Sequence, residues 1–221
     1  MAKSKVLVVG GTGYIGRRIV KASLAQGHET YVLQRAEIGL DIDKLQMLLS
    51  FKKQGAHLVE GSFNDHKSLV EAVKQADVVI CTMSGVHFRS HNISLQLKLV
   101  AFMDEDDIAT YTINAIDDPR TLNKTLYIRP PGNILTQAHL IQKWEELSGK
   151  KLEKISISAQ DFLASMKGLD FAGQVGVGHF YHIFYEGCLT NFEIGEGVEE
   201  ASRLYPEVEY TRMDDYLKIY I

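Results

Sequence analysis

Two hydrophobic rhythms alternate along the first hundred residues. Val6–Val9 is a short β-branched run, and residues 17–25 carry apolar or small side chains at helical spacing (Ile19, Val20, Ser23, Leu24) until Gly27 stops them. Residues 29–35 read as a second strand, 43–54 as a helix ended by Gly55, and 57–62 as a third strand. Residues 65–76 follow as a helix with Leu69, Val70 and Val73 on one face and Asp65 as N-cap. Residues 77–85 make a fourth strand. Strands that alternate with helices and read as continuous apolar runs predict a parallel sheet covered on both faces.

The rhythm changes in the second half. Residues 107–116 predict a helix entered through the acidic run Asp104–Asp107, which suits the positive end of a helix dipole. A strand over 125–131 is stopped by Pro130 and Pro131, and a helix over 136–147 ends at Gly149. Ser158 to Asp161 and Thr211 to Asp214 resemble capping boxes. The expected fold class is α/β, a Rossmann-type doubly wound parallel sheet with a smaller α+β C-terminal substrate region. The expected division is 1–100 for the nucleotide-binding domain and 101–221 for the cap. Helical spacing through Ile93, Leu97 and Val100 runs into strand-like residues 101–103 with no Gly, Pro or Asn between. A helix needs a stop and a reversal needs turn residues, so a segment is expected to be missing between Val100 and Ala101.

Composition narrows the classes. Of 221 residues, 45% are hydrophobic and 24% charged, which suits one large globular domain or one with a small appendage. A formal net charge of −4 gives no electrostatic case for nucleic acid or an anionic membrane. No apolar run approaches the roughly 20 residues of a membrane span. The first five residues lead straight into a strand, so no secretory signal is expected. Cys81 and Cys188 lie outside any metal-type spacing, and a reduced, intracellular, cytoplasmic protein without a metal is the expectation.

The chemistry starts at residues 10–16: Gly10, Gly11, Thr12, Gly13, Tyr14, Ile15 and Gly16. Gly10 permits a tight turn out of the strand, Gly13 lets the backbone approach a pyrophosphate, and Gly16 lets the helix lie close to the sheet. A helix N-terminus then faces the phosphates. The pattern follows a strand and opens a helix, the context that gives it weight. NAD sites usually place an acid at the end of the second strand; here Arg35 stands there and offers a charge-assisted grip on a 2′-phosphate. Lys44 offers a second cation. A solvated surface cation is the alternative for both. The cofactor expected is therefore NADPH/NADP+. Residues that follow parallel strands line such a crevice. That places Ser62 and Phe63 beside the adenine, with ordinary core the alternative for Phe63. Met83, Ser84 and Gly85 fall along the ribose and pyrophosphate.

A Tyr-x-x-x-Lys pair is absent: Tyr14 is followed by Arg18, Tyr111 by Ala115 and Tyr181 by Tyr185. Histidines are the remaining acid/base candidates. His179 and His182 lie among aromatics, where a histidine relays a proton or is simply packed. Val86 and Phe88, in the loop after the fourth strand, would face an aromatic substrate, whereas His87 and His91 read as surface residues.

Residues 6–35, 51–74, 84–100, 104–131 and 204–210 resemble the plant pinoresinol–lariciresinol reductases, which sit with phenylcoumaran benzylic ether reductases and isoflavone reductases among the atypical short-chain reductases. The likeness covers nearly the whole chain and is specific at residues 84–92 and 185–195. Ala36 departs from it, since relatives usually carry proline there. The larger departure is at Val100–Ala101, where relatives carry a segment with the catalytic lysine. Either the protein carries that segment and this chain omits it, the reading favoured here, or it is deleted. A true deletion leaves no reductase.

The resemblance implies an NADPH-dependent opening of the benzylic ether of furofuran or furan lignans, through a quinone methide. It implies that residues 10–16 hold the pyrophosphate, Arg35 and Lys44 the 2′-phosphate, and Val86 and Phe88 the substrate. It implies that His179 stands beside the substrate and that the protein is a homodimer. The competing readings are a phenylcoumaran or isoflavone reductase, and a non-catalytic nucleotide sensor of the NmrA-like kind.

Overall fold

Four consecutive apolar side chains make β1 (Val6–Val9), and all four are buried. A strand apolar on both faces needs cover on both sides. It lies inside a parallel sheet with β2 (Thr30–Gln34), β3 (His57–Glu60) and β4 (Val78–Cys81), in the order β3-β2-β1-β4. Val8 is in register with Val32 on one side and Ile80 on the other. The structure, a computed structural model, describes residues 3–35, 41–62, 65–82, 100–190, 192, 195 and 197–221.

Helices cover this sheet as the α/β pattern requires. Val6 and Val8 pack against Ile19 and Val20 of α1 (Gly16–Ala25) and Leu48 and Phe51 of α2 (Ile42–Lys53). On the opposite face Leu7 and Tyr31 pack against Ala72 of α3 (His66–Val73). Asp41 and Asp65 cap α2 and α3, Asp65 accepting from the N–H groups of Lys67 and Ser68. The fourth strand differs from the expected buried run. Among the described residues it is an edge strand, with Ile80 joining the first core while Val79 and Cys81 are exposed.

The division of the chain also differs from a cut at residue 100. Residues 1–90 and 105–123 form one compact unit, and residues 91–104 and 124–221 the other. The reason is α4 (Glu105–Ile116), whose Ala109 and Ile113 enter the core that already holds Ile19 and Val20. The helix is as the sequence predicts, but its apolar stripe belongs to the unit that holds the parallel sheet.

The second unit has short strands and local staples. β5 (Val100–Ala101) pairs antiparallel with β7 (Ile134–Leu135), and β6 (Thr125–Tyr127) pairs in parallel with β8 (Val198–Glu200). The helices are α5 (Gln137–Ser148), α6 (Ala159–Ala164), α7 (Phe171–Tyr181), α8 (Ala201–Leu204) and α9 (Met213–Lys218). Thr136 caps α5, and Gly149, in the left-handed region at φ 66°, ends it. Ser158 caps α6, its Oγ accepting from the Asp161 N–H at 3.1 Å and donating to the Asp161 carboxylate at 2.6 Å. The second expected box is not formed: Arg212 occupies the N-cap of α9 without a side-chain cap. Buried Asn133 substitutes for it, its Oδ1 accepting the Met213 N–H at 3.2 Å and its Nδ2 donating to the Thr211 carbonyl at 2.8 Å.

Glu145 on α5 is buried, with 6% of its surface exposed. Its carboxylate accepts the Leu152 N–H and the Lys154 ammonium, both at 2.9 Å, which ties the extended stretch after α5 back to the helix. These bonds, with Lys151 nearby, hold its pKa down at about 2 against the opposing effect of burial.

Two outcomes follow for stability. Ile113→Ala, at a position 1% exposed, is expected to cost the parallel-sheet unit about 2–4 kcal/mol in urea denaturation. The control Leu122→Ala, at 71% exposure, is expected to change it by less than about 0.5 kcal/mol. The depressed Glu145 pKa means its contribution is complete above the ordinary glutamate range and is lost as pH falls toward about 2. Glu145→Gln is therefore expected to flatten the acid limb of the unfolding curve of the second unit.

Candidate functional site: the glycine turn and its surroundings

β1 ends at Val9, level with Leu33 of β2 and Cys81 of β4. The carboxyl ends of three parallel strands therefore open on one edge, where ligands of such sheets bind. The turn from β1 to α1 lies there. Gly10 has φ +82°, and its N–H partner in the turn is Gly13, which donates to the Gly10 carbonyl at 2.8 Å. A Cβ on Gly16 would stand 2.1 Å from the same carbonyl, so only glycine lets α1 start this close to the strand. Ile15 occupies the N-cap of α1, no side chain caps it, and its first turn holds no acid. An uncapped, acid-free helix start at the end of a parallel strand fits a pyrophosphate. Gly11, Thr12 and Gly13 complete the turn.

Thr82, just beyond β4, walls this turn. Its hydroxyl donates to the Val9 carbonyl at 2.9 Å, and a Cβ on Gly10 would meet its Oγ1 at 3.0 Å. The sequence reading runs the fourth strand on to residue 85 and so does not single it out; the strand ends at Cys81.

The surroundings of Tyr14 were also missed. Tyr14 is 58% exposed, and its hydroxyl donates to Glu105 Oε1 at 2.7 Å. The Arg18 guanidinium lies 4.4 Å from its ring centre, and Arg18 Nη1 donates to the Tyr14 carbonyl at 3.0 Å. Arg18 Nη2 is 3.8 Å from Glu105. Its Nε is 3.1 Å from Asp106, near enough for an ion pair but out of hydrogen-bond line. The hydrogen bond to Glu105 raises the Tyr14 pKa. Burial raises that of Glu105, but the Tyr14 bond and the two nearby arginines outweigh it and leave it lowered. Tyr14 and Glu105 are 91 residues apart in sequence, and only folding brings them together.

Arg35 follows β2 at the same edge and is exposed, with no ion pair to an acid among the described residues. Lys44 differs from the expectation of a free second cation. Its ammonium lies 2.5 Å from Asp41 Oδ2, the carboxylate that also caps its own helix. Phe63, Met83, Ser84, Gly85, Val86 and Phe88 lie outside the described residues, as do His87 and His91.

In the second unit His179 lies on α7 and is exposed rather than packed among aromatics. Asp170 caps that helix, accepting the Gly173 N–H at 2.8 Å. His182 begins a π-helical turn and its Nδ1 lies 2.5 Å from Glu186 Oε2. Phe180 stacks on Phe184 and Tyr181 on Tyr185. A groove of about 910 Å³ in this unit is walled by Ile141, Phe162, Phe184 and Tyr185, and His179 is not among its lining residues.

A family model described as NmrA-like matches residues 2–102 and, in a second stretch, 96–217. The chain belongs to the NmrA-like family. The two stretches of the family match meet around Val100–Ala101. Within the family, the chain is 56% identical to an isoflavone reductase homolog of Lupinus albus, over 312 aligned positions covering 100% of both. It is 50% identical to a bifunctional pinoresinol-lariciresinol reductase of Linum perenne, again covering 100% of both. The alignment to the lupin relative is longer than the 221-residue chain, so part of it stands opposite no residue here. Among solved structures of the family, AtPrR2 with NADP+ and (+)pinoresinol matches with TM-score 0.89 and 45% identity, covering 99% of each chain. The α/β fold with a Rossmann-type parallel sheet is the one this family shares.

Arg35→Ala is expected to lower the affinity for NADPH relative to NADH by roughly tenfold, the loss of one charge-assisted contact, in calorimetric titration. Lys44→Ala is expected to do less, because Asp41 already engages that ammonium.

Proposed function

We propose that the protein is an NADPH-dependent reductase that opens the benzylic ether of pinoresinol and of lariciresinol. One observation carries the reading: the end-to-end match, at 50% identity, to a bifunctional pinoresinol-lariciresinol reductase. The solved relative with NADP+ and (+)pinoresinol, at 45% identity, supports the cofactor and the substrate class.

When bound, NADPH supplies the hydride. Residues 10–16 and the open start of α1 bind its pyrophosphate. Arg35 takes the 2′-phosphate, with Lys44 secondary. Phe63, Met83, Ser84 and Gly85 complete the cofactor crevice. Val86 and Phe88 cover the aromatic substrate, and His179 binds a phenol or assists transfer of its proton. The general base is a lysine in the segment that the resembled reductases carry between the positions of Val100 and Ala101. The proposal extends to a cytoplasmic homodimer, on the likeness to the plant reductases. Among the described residues no helix is long and apolar enough to cross a membrane.

A second reading takes the chain as it stands. It has an open cofactor turn, no Tyr-x-x-x-Lys pair and no such lysine segment, and its family is NmrA-like. That combination supports a sensor that binds NADP(H) without reducing a substrate. A third keeps the enzyme and changes the substrate, supported by the lupin relative's name as an isoflavone reductase homolog.

One assay separates the three. The purified protein, its intact mass recorded, is incubated with NADPH and pinoresinol while cofactor oxidation and lariciresinol are followed. The first reading expects both and a mass above 24.8 kDa. NADPH that binds but is not oxidised, with a mass at 24.8 kDa, supports the sensor. Oxidation only with a phenylcoumaran or an isoflavone supports the third.

A further inference from the structure

We infer that Glu105 is a positioning residue for the cofactor turn, acting with Arg18 to hold Tyr14 in the conformation that NADPH meets. The inference rests on the cofactor reading above and deepens it. A turn with glycine at four of its seven positions has little of its own to fix its shape. Tyr14 is its one large aromatic side chain, and the structure restrains it at three points. The hydroxyl is held by Glu105, the ring by the Arg18 guanidinium and the carbonyl by Arg18 Nη1. Arg18 is itself held between Glu105 and Asp106.

The anchor of this clamp is rigid. Glu105 and Asp106 are in the first turn of α4, and α4 is seated by Ala109 and Ile113 in the buried core it shares with α1. The acids therefore cannot follow the turn if it shifts. They also direct Arg18 toward the tyrosine, leaving the start of α1 open for the phosphates. A carboxylate at this edge repels phosphate as well, so its positioning and its charge act in opposite directions. The sign of its effect on binding decides between them.

The test uses the whole protein, with NADPH as the probe and calorimetry as the readout. Wild-type protein that fails to bind NADPH would sink the cofactor reading, a result distinct from failure of the clamp. Given wild-type binding, Glu105→Ala is expected to weaken it roughly tenfold, as does Tyr14→Phe, which removes the hydroxyl alone. The double variant is expected to lose little more than either single one, because both break the same contact. Glu105→Gln keeps an acceptor for the hydroxyl and is expected to recover part of the loss. Ultraviolet titration is expected to show one tyrosine ionising at lower pH in Glu105→Ala and not in the Tyr14→Phe background. NADPH binding that is unchanged or tighter in Glu105→Ala overturns the inference. So do additive losses in the double variant. If Glu105→Ala does not fold, Tyr14→Phe and Glu105→Gln carry the test, and wild-type affinity in Tyr14→Phe overturns it.

Discussion

The approach of α1 to the end of β1 is the constraint on which the nucleotide-binding unit depends. The Gly10 carbonyl occupies the space in which any side chain at position 16 would stand. Because position 16 is glycine, the helix begins directly under the strand end, and Ile19 and Val20 reach the sheet core. The same closeness points an uncapped helix start at the edge where three strands end. Packing and ligand site are thus one geometric fact. A helix that stood further out would lose the buried contacts and would turn its free N–H groups away from the crevice.

That helix also recruits α4. Its outer apolar side chains would be uncovered if α4 followed the second half of the chain, and Ala109 and Ile113 cover them. The consequence is chemical as well as mechanical. Seating α4 on α1 sets an acidic first turn against an arginine and a tyrosine of the cofactor turn. The acidic run Asp104–Asp107, which reads simply as a helix start, becomes part of the surroundings of the site.

The second unit is organised differently. Its strands are two or three residues long, and much of its definition comes from local polar contacts. Asn133 caps a helix eighty residues away, and buried Glu145 holds the extended stretch that follows its own helix. Phe171 and Phe180 of the apolar helix α7 are exposed. His179 stands on that helix and outside the groove of this unit.

What could be read from sequence follows the range of the interactions involved. The glycine turn, the strands around it, Asp65 as a cap and Arg35 at the end of β2 are set by residues near one another in the chain, so spacing alone identifies them. The pairing of Lys44 with Asp41 was equally local, three residues apart, and was available from the i, i+3 rule. The expectation of a break at Val100–Ala101 comes from a helical pattern that lacks any stop. The home of α4, the edge position of β4, the wall made by Thr82 and the clamp of Glu105 on Tyr14 were not legible. An amphipathic stripe states that a face must be buried and does not name its partner. By itself, then, the sequence determined the parallel-sheet architecture with its glycine turn, and placed at the end of β2 the cation proposed for a 2′-phosphate. Tertiary structure alone decided which distant side chains surround that site, because only packing in the core brings residue 105 to residue 14.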